Sequence, residues 1–238
     1  MEVMGQRTNP SQGLGRLAKA IVGFNHRVPN LKVVAVDTPR NADVVVYCRK
    51  SEATLKQATE YCSSTGAALI FLSSGLQINK LDTSRYPFIR VPNSALTVIN
   101  YLSLVETQAK DRFADWVPKI IEHHQVSKAD VSGTAKKLAD MLGVEYDMIE
   151  SIREFERTKK QYNIPKSSQD GYAVHSVTFT DPITGAESDP IEIIIHGRLA
   201  YASGVFDIYK AMQNHPQEFQ FGSHDIVDLV RRGIVTPA

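Results

Sequence analysis

The sequence predicts an α/β fold, in which a parallel-sheet half is followed by a half with helices beside a more open, mixed sheet. Three apolar, β-branched runs indicate the first half, at 31–36, 43–48 and 67–72. Continuous apolar runs of this length are typical of strands buried on both faces, as in a parallel sheet. A helical pattern over 51–62, with Ser51 as its N-cap, separates the last two runs and completes a right-handed βαβ unit.

The second half alternates less regularly. Helical periodicity predicts helices over 94–112, 133–141, 145–160, 202–213 and 224–231. Apolar runs predict strands over 117–122, 173–180 and 191–196. The last two strands are joined by Asp181-Pro-Ile-Thr-Gly185, a strong turn signal that indicates a hairpin.

Composition excludes several classes of protein. The 238 residues are 42% hydrophobic and 22% charged, which is typical of a globular chain with a sizeable core. Lys and Arg number 27 against 26 Asp and Glu, so the excess of positive charge expected of a dedicated nucleic-acid binder is absent from the sequence. The apolar runs are too short for a membrane span, and the N-terminus lacks the apolar stretch of a secretory signal. With Cys48 and Cys62 alone, neither a disulfide framework nor a Cys-rich zinc site is expected, and the cytosol is the simplest location.

The densest polar cluster lies at 122–135, directly after a predicted strand and directly before a predicted helix. This places it at the carboxyl end of a strand, where ligands bind in open α/β sheets. Ser132-Gly133-Thr134 opens the helix, so its free backbone N–H groups form a site for a carboxylate or a phosphate. His123, His124 and Lys128 add proton donors and positive charge.

Simpler roles remain open for the same residues. Ser132 or Thr134 can serve only as a helix cap. Adjacent histidines on a strand point to opposite faces, so at most one of His123 and His124 faces a given site. No third ligand stands at a usable spacing from the pair, and we therefore expect no metal. His175 and His196 lie on the closing strands, where either could face the site and packing is the simpler role.

A resemblance to a known family rests on this cluster. The residues His123-His124, Lys128, Asp130 and Ser132-Gly-Thr-Ala135 resemble the signature of the dihydrodipicolinate reductases (4-hydroxy-tetrahydrodipicolinate reductases). Their motif runs His-His, two residues, Lys, one residue, Asp-Ala-Pro-Ser-Gly-Thr-Ala. Further similar segments follow in the same order over about 13–231 and include Ser51–Leu55, Ser73-Ser-Gly75, Pro92-Asn93-Ser94, 171–177 and 191–204.

The resemblance implies a Rossmann-like cofactor domain, formed by 1–92 with 214–238, and a substrate and oligomerisation domain at 93–213. It implies hydride transfer from NADH or NADPH to a cyclic, unsaturated imine dicarboxylate in lysine biosynthesis. By the same resemblance, His123 would donate the proton, Lys128 would pair with the substrate or supply a proton, and His124, Ser132, Gly133 and Thr134 would bind the substrate. The cofactor would contact Gly13, Gly15, Arg16, Asp37, Ser73, Ser74, Gly75, Pro92 and Asn93.

The chain departs from the family pattern at two places. Lys128 follows His124 by four positions where the family has three, and Val131 replaces the proline of the motif. The glycine-rich cofactor turn retains only its middle glycine, Gly15, and the following Arg16. Asp37, at the end of a strand about twenty residues later, can accept the ribose hydroxyl or serve only as a turn residue. No arginine is adjacent to Asp37, and the next one along the chain is Arg40, so the sequence favours NADH over NADPH.

The sequence therefore supports two possible functions. The first is an NAD(P)H-dependent reductase of a C=N or conjugated C=C bond in a small carboxylate substrate. The alternative is a protein that keeps the fold and the anion site without nicotinamide binding, and acts as a lyase, an isomerase or a non-catalytic anion binder. The 191–196 strand is apolar on both sides, so we also expect a homo-oligomer, a tetramer or a dimer.

Overall fold

The computed structural model describes residues 1–5, 15–24, 31–73, 76–169 and 171–237, so the predicted cofactor residues Gly13, Ser74 and Gly75 lie outside it. The chain divides into two compact units. The first unit contains Met1–Leu96 with Leu199–Ala238, and the second contains Thr97–Arg198. Among the described residues, none of the helices combines the length and the apolar character that a membrane span requires.

The first unit is built on a six-stranded sheet whose strand pairs are all parallel. With elements numbered in chain order, its strands are β1 (Glu2–Gly5), β2 (Val34–Ala35), β3 (Val44–Cys48), β4 (Ala68–Phe71), β5 (Pro87–Arg90) and β10 (Gly222–Asp225). Their order across the sheet is β10-β5-β4-β3-β1-β2. The unit also contains α1 (Arg16–Gly23), α2 (Glu52–Thr65), α7 (Leu199–Asn214), α8 (Ile226–Arg231) and a 3-10 turn at Pro216–Glu218.

The predicted βαβ unit is present as β3, α2 and β4. Ser51 caps α2 by accepting a hydrogen bond from the backbone N–H of Thr54, as its position before the helix predicts. Gly66 ends the helix in the left-handed region at φ 75°, which is available to glycine at little cost. The strands on either side are buried along almost their whole length, and the rings of Tyr47 and Phe71 stack 5.7 Å apart.

The second unit holds a four-stranded mixed sheet of order β7-β6-β8-β9. Its strands are β6 (Val117–His124), β7 (Glu150–Ile152), β8 (Ala173–Thr180) and β9 (Ile191–Ile195). The helix α3 (Leu96–Leu104) continues through a π-helical turn (Val105–Ala109) into α4 (Lys110–Arg112). Two further helices follow, α5 (Gly133–Leu142) and α6 (Phe155–Tyr162). The unit also has 3-10 turns at Tyr146–Met148 and Lys166–Ser168. The helix α5 packs against Ile120 and Val177 on one sheet face, whereas Phe155 of α6 packs against Val174 on the other.

Three secondary-structure predictions are corrected. The helix expected over 145–160 is instead a 3-10 turn, the strand β7 and the helix α6, because Glu150–Ile152 forms a parallel ladder with β6 that helical periodicity does not reveal. The helix expected from 224 begins at Ile226, since the preceding residues form the edge strand β10 and Asp225 caps α8. The N-terminal residues Glu2–Gly5, which none of the predicted strands includes, form β1, which lies between β2 and β3.

The division into units also differs from the expected domain boundaries. The first boundary lies at 96 rather than 92, but the second lies at 198 rather than 213. The reason is α7, which packs on α1 of the first unit, where Phe206 contacts Phe24 with ring centroids 5.0 Å apart. Its buried side includes Gly204, whose position is set by close contact with the backbone of Ser94.

Replacing Gly204 with alanine should destabilise the first unit. A Cβ atom there would lie 1.7 Å from the carbonyl oxygen of Ser94, and backbone must move to relieve the clash. We expect a loss of at least roughly 2 kcal/mol in the free energy of unfolding, measured by urea denaturation. Gly23→Ala is the matched control, because its added Cβ meets nothing within 4 Å, and it should be neutral or slightly stabilising. Equal stability of the two variants would contradict this account of the packing.

Candidate active site

The two faces of β6 carry different chemistry. Glu122 and His124 are two residues apart and share one face, on which His175 of β8 stands directly opposite Glu122. His123 lies between them in sequence and therefore points to the other face. All four side chains are buried, so the sheet separates two buried polar groups rather than presenting one exposed histidine pair.

Glu122 is the centre of the first group. Its Oε1 accepts hydrogen bonds from Arg153 at 2.6 Å and from the Ser151 hydroxyl at 3.0 Å, while Oε2 accepts from the backbone N–H of Ser132 at 3.0 Å. Burial alone would raise the pKa of this carboxyl, but the hydrogen bonds from Ser132 and Arg153 outweigh it and lower the pKa to about 2. The carboxylate is therefore charged while fully buried.

His124 lies beside this carboxylate, with Nε2 3.6 Å from Oε2 of Glu122. Its ring meets the ring of His175 edge-on, with centroids 5.3 Å apart. Burial lowers the pKa of His124 to about 4 despite the opposing charge of Glu122, and burial likewise holds the pKa of His175 well below its ordinary value. Nε2 of His124 and Nδ1 of His175 are buried and have no hydrogen-bond partner within the described part of the chain. Both imidazoles are therefore neutral and open to a new partner.

His123 belongs to the opposite face. Its Nδ1 lies 2.8 Å from the Thr158 hydroxyl of α6, and its ring packs edge-on against Tyr162 at 5.1 Å. Burial lowers its pKa as well, followed in effect by the charge of Arg157. The structure therefore separates His123 from the predicted anion turn and gives it contacts typical of a packed, hydrogen-bonded core residue.

The segment 125–134 closes the site on the side of Glu122. Arg153 holds its path by donating from Nε to the carbonyl of Lys128 at 2.8 Å and from a terminal nitrogen to the carbonyl of Asp130 at 3.2 Å. Ser132 caps α5 by accepting from the N–H of Ala135 at 3.1 Å. Among the described residues, no hydrogen bond engages the N–H groups of Gly133 and Thr134. Gly133 is exposed, and a Cβ atom added to it would enter open space.

The side chains beside Glu122 also include the types that bind metals. Glu122, His124 and His175 offer ligand atoms within 4.8 Å of one another, so the structure supplies the third ligand that the sequence pattern lacked. Two features oppose a cation here. The carboxylate already accepts hydrogen bonds from three groups, and the positive charges of Lys128 and Arg153 act on the imidazole of His124. These side chains are therefore better suited to bind an anion and to transfer a proton than to bind a metal ion.

Those predicted cofactor residues that the structure describes lie along the carboxyl edge of the first unit's sheet. Asp37 follows β2 and pairs with Arg49, which follows β3, at 2.6 Å. The Ser73 hydroxyl after β4 donates to the carbonyl of Arg49. Gly15 precedes α1 and Arg16 is its exposed first residue, whereas Asn93 accepts a hydrogen bond from the N–H of Ala95 and so orders the turn after Pro92. Arg49 was not predicted, since nothing in its local pattern marks it.

The order of strands in the first unit is that of a doubly wound α/β sheet, in which β2 lies on one side of β1 and β3, β4 and β5 follow on the other. The family description "Dihydrodipicolinate reductase, C-terminus" matches residues 98–227, more than half of the chain. The chain therefore belongs to the dihydrodipicolinate reductase family.

Individual relatives agree with this family. The chain is 28% identical over 218 residues to "Probable 4-hydroxy-tetrahydrodipicolinate reductase 2, chloroplastic" of Oryza sativa subsp. japonica, covering 86% of this chain and 63% of that protein. It is 26% identical over 216 residues to "4-hydroxy-tetrahydrodipicolinate reductase 1, chloroplastic" of Arabidopsis thaliana, covering 85% and 62%. The chain thus spans less than two thirds of these relatives. A dipicolinate-bound dihydrodipicolinate reductase from Paenisporosarcina sp. TG-14 has the same fold, with a TM-score of 0.63 at 16% identity over 94% of this chain and 96% of that one.

The buried imidazoles predict a fall in stability in mild acid. The folded-state pKa of His124 and of His175 lies below the unfolded value of about 6.5, so the unfolded chain binds more protons as the pH falls. Between about pH 7 and pH 5 we expect a loss of roughly 1–2 kcal/mol for each imidazole, measured by urea denaturation. The loss due to Glu122 comes at lower pH, because its contribution persists until the pH falls below the unfolded pKa of a glutamate.

The variant His175→Leu should reduce this acid sensitivity, since it removes one titrating group. His196→Gln is the matched control, because this imidazole is exposed. An unchanged pH dependence in His175→Leu, or an equal reduction in His196→Gln, would contradict the assignment of the acid sensitivity to the buried pair.

Proposed function

We propose that the chain is an NAD(P)H-dependent reductase of a cyclic, unsaturated imine dicarboxylate, the reaction for which its relatives are named. The observation that carries the proposal is the pairing of a buried, charged Glu122 with the imidazole of His124, next to the start of α5. No described residue forms a hydrogen bond with Nε2 of His124 or with the N–H groups of Gly133 and Thr134. Such a site provides a proton and an anion contact within one short segment of chain.

The substrate contact is proposed at the start of α5. The N–H groups of Gly133 and Thr134 carry partial positive charge at the helix N-terminus and suit a carboxylate. Lys128 adds a full positive charge from the same segment, and Ser132 holds the turn in place through its cap. The hydrogen bonds from Arg153 to the carbonyls of Lys128 and Asp130 keep this segment in position before any ligand arrives.

The proton donor is proposed to be His124 rather than His123. A neutral imidazole becomes a useful acid when negative charge comes close, because that charge raises its pKa. A bound dicarboxylate would supply such charge next to His124, and Glu122 would stabilise the imidazolium that forms. Proton uptake on substrate binding would then load the donor for the chemical step.

The spacing of the motif does not by itself choose between His123 and His124. In the family motif stated above, the first histidine of the pair precedes the lysine by four positions. Counted from Lys128, His124 takes the place of the first histidine, because it precedes the lysine by four. Counted from Ser132, His123 keeps that place, because it precedes the serine by nine, as in the motif. The choice of His124 therefore rests on the face it shares with Glu122.

A nicotinamide dinucleotide, when bound, supplies the hydride. The residues of the carboxyl edge of the first unit fit such a ligand, since Asp37, Arg49 and Ser73 converge there and Arg49 retains a buried Nε without a partner among the described residues. Gly15 and Arg16 at the start of α1 and Pro92 and Asn93 after β5 stay proposed contacts at the same edge.

Self-association also stays a proposal. On β9, Ile191 and Ile193 pack towards the core around Ile120, whereas Glu192 and Ile194 alternate with them and are exposed. Exposed apolar surface on a short strand is suited to cover by a second copy of the chain.

Titration of the protein with NADH and NADPH, followed by an assay of nucleotide oxidation with the imine dicarboxylate, tests the proposed activity. Saturable binding together with turnover is expected. Binding of dipicolinate with no saturable binding of either nucleotide below about millimolar concentration would instead support the alternative, an anion-binding protein without nicotinamide chemistry.

Replacing His124 and His123 separately with alanine should have different consequences. His124→Ala should lower turnover by roughly 10²–10⁴-fold with little change in nucleotide affinity, because it removes the proton donor. His123→Ala should leave most of the turnover and instead lower stability, because it deletes the contacts with Thr158 and Tyr162. A large loss of turnover confined to His123→Ala would return the donor role to His123.

The anion turn is tested by dipicolinate binding. Gly133→Val should reduce affinity at least about tenfold, because the side chain would fill the open space in front of the N–H groups. Ser132→Ala should cost about 0.5–2 kcal/mol of stability through loss of the cap, with a smaller effect on affinity. Unchanged dipicolinate affinity in Gly133→Val would place the carboxylate elsewhere.

A further inference from the structure

We propose that Arg49 binds the 2′-phosphate of NADPH and gives this chain a preference for NADPH over NADH; the inference rests on the proposed function. It reverses the preference that the sequence favoured. The reason is that the relevant arginine is contributed by a different strand from the one that leads to Asp37.

Arg49 lies at the point of the sheet where a ligand is expected. β1 is flanked by β2 on one side and β3 on the other, and the chain extends the sheet in opposite directions from there. In open parallel sheets, ligands bind outside the carboxyl ends of the strands at such a switch point. Asp37 follows β2 and Arg49 follows β3, so their ion pair reaches across the carboxyl end of β1.

The guanidinium is held firmly at this position. One terminal nitrogen of Arg49 donates to Oδ1 of Asp37 at 2.6 Å and to the carbonyl of Val36 at 3.2 Å. The Ser73 hydroxyl donates to the carbonyl of the same arginine, which ties its backbone to the end of β4. The guanidinium therefore stands beside the acidic residue that marks the adenosine ribose, rather than pointing into solvent.

The same guanidinium has hydrogen-bonding capacity to spare. Its Nε is buried and has no partner among the described residues, which leaves a charged donor unsatisfied. An arginine presents five N–H donors in a planar fork, and a phosphate offers acceptor oxygens that match the fork in pairs. A phosphate at this position would add acceptor oxygens for a guanidinium whose Nε has none among the described residues.

The exposure of Asp37 and Arg49 indicates which of the two side chains moves when a ligand binds. The Arg49 side chain is 13% exposed and the Asp37 side chain 53% exposed, so the carboxylate can turn towards water while the guanidinium stays. A ribose hydroxyl, by contrast, would have to share the Asp37 carboxylate with Arg49, whose guanidinium already donates to Oδ1. A doubly charged phosphate competes for the guanidinium far better than a neutral hydroxyl competes for the paired carboxylate.

The test is fluorescence titration of the whole chain with NADPH and NADH, and thermal-shift titration with 2′,5′-ADP and 5′-AMP. The unmodified chain should bind NADPH at least about tenfold more tightly than NADH, and 2′,5′-ADP more tightly than 5′-AMP. Arg49→Gln should weaken NADPH binding roughly 10–100-fold and NADH binding less than about threefold. Arg49→Lys keeps the charge without the fork and should retain part of the preference.

Arg40→Gln is the matched control. Arg40 is the arginine nearest to Asp37 in the sequence and its residue is exposed, so both affinities should stay unchanged. An equal loss of NADPH and NADH affinity in Arg49→Gln, an unchanged NADPH affinity, or a selective loss in Arg40→Gln would overturn the assignment.

The ratio of NADPH to NADH affinity in the unmodified chain needs no variant, and it remains decisive if Arg49→Gln fails to fold. Saturable binding of both nucleotides with equal affinity would overturn the role of Arg49 and leave the proposed reductase intact. Binding of neither nucleotide would overturn both.

Discussion

The second unit depends on one buried negative charge. Glu122 has no contact with solvent, and an isolated carboxylate in that position would be strongly unfavourable. Its charge is tolerated because Arg153, Ser151 and the N–H of Ser132 converge on its two oxygens. Those bonds join the strand β6, the strand β7 and the start of α5, so the same interaction that compensates the charge also fixes the segment proposed to bind substrate.

The parallel sheet of the first unit was predictable where its strands are long and apolar. β3 and β4 are buried on both faces, and uninterrupted apolar runs report this directly. The strands that were missed or shortened are short or lie at the sheet edge. β10 alternates between half-buried and exposed residues, and β7 has only three residues, so each depends on a neighbouring strand for its conformation. Single-sequence periodicity carries little information about such pairing.

The candidate site was predictable to the extent that it is local. The segment from Glu122 to Thr134 is continuous in the sequence, and its residue types indicate both a proton donor and an anion-binding turn. Arg153 directly follows β7 and His175 lies on β8, so both meet Glu122 only after the sheet forms. One signal for His175 was available: it is the histidine of a predicted strand, and a strand that pairs with β6 can place it level with the cluster. Arg49, the partner of Asp37, was missed for the same reason. Arg40 is the nearest arginine in the sequence, whereas Arg49 comes close to Asp37 only when the sheet forms.

The opposite orientations of His123 and His124 have a consequence for sequence change in this family. Because side chains alternate along β6, inserting or deleting one residue there would exchange the two imidazoles between the faces. The strand would still carry a histidine beside Glu122's position, so the fold could survive the event while the spacing to the lysine changed by one. With two adjacent histidines, β6 can gain or lose one residue and still place a histidine on the face that carries Glu122. An alignment made by matching His-His to His-His can then equate residues that stand on different sides of the sheet.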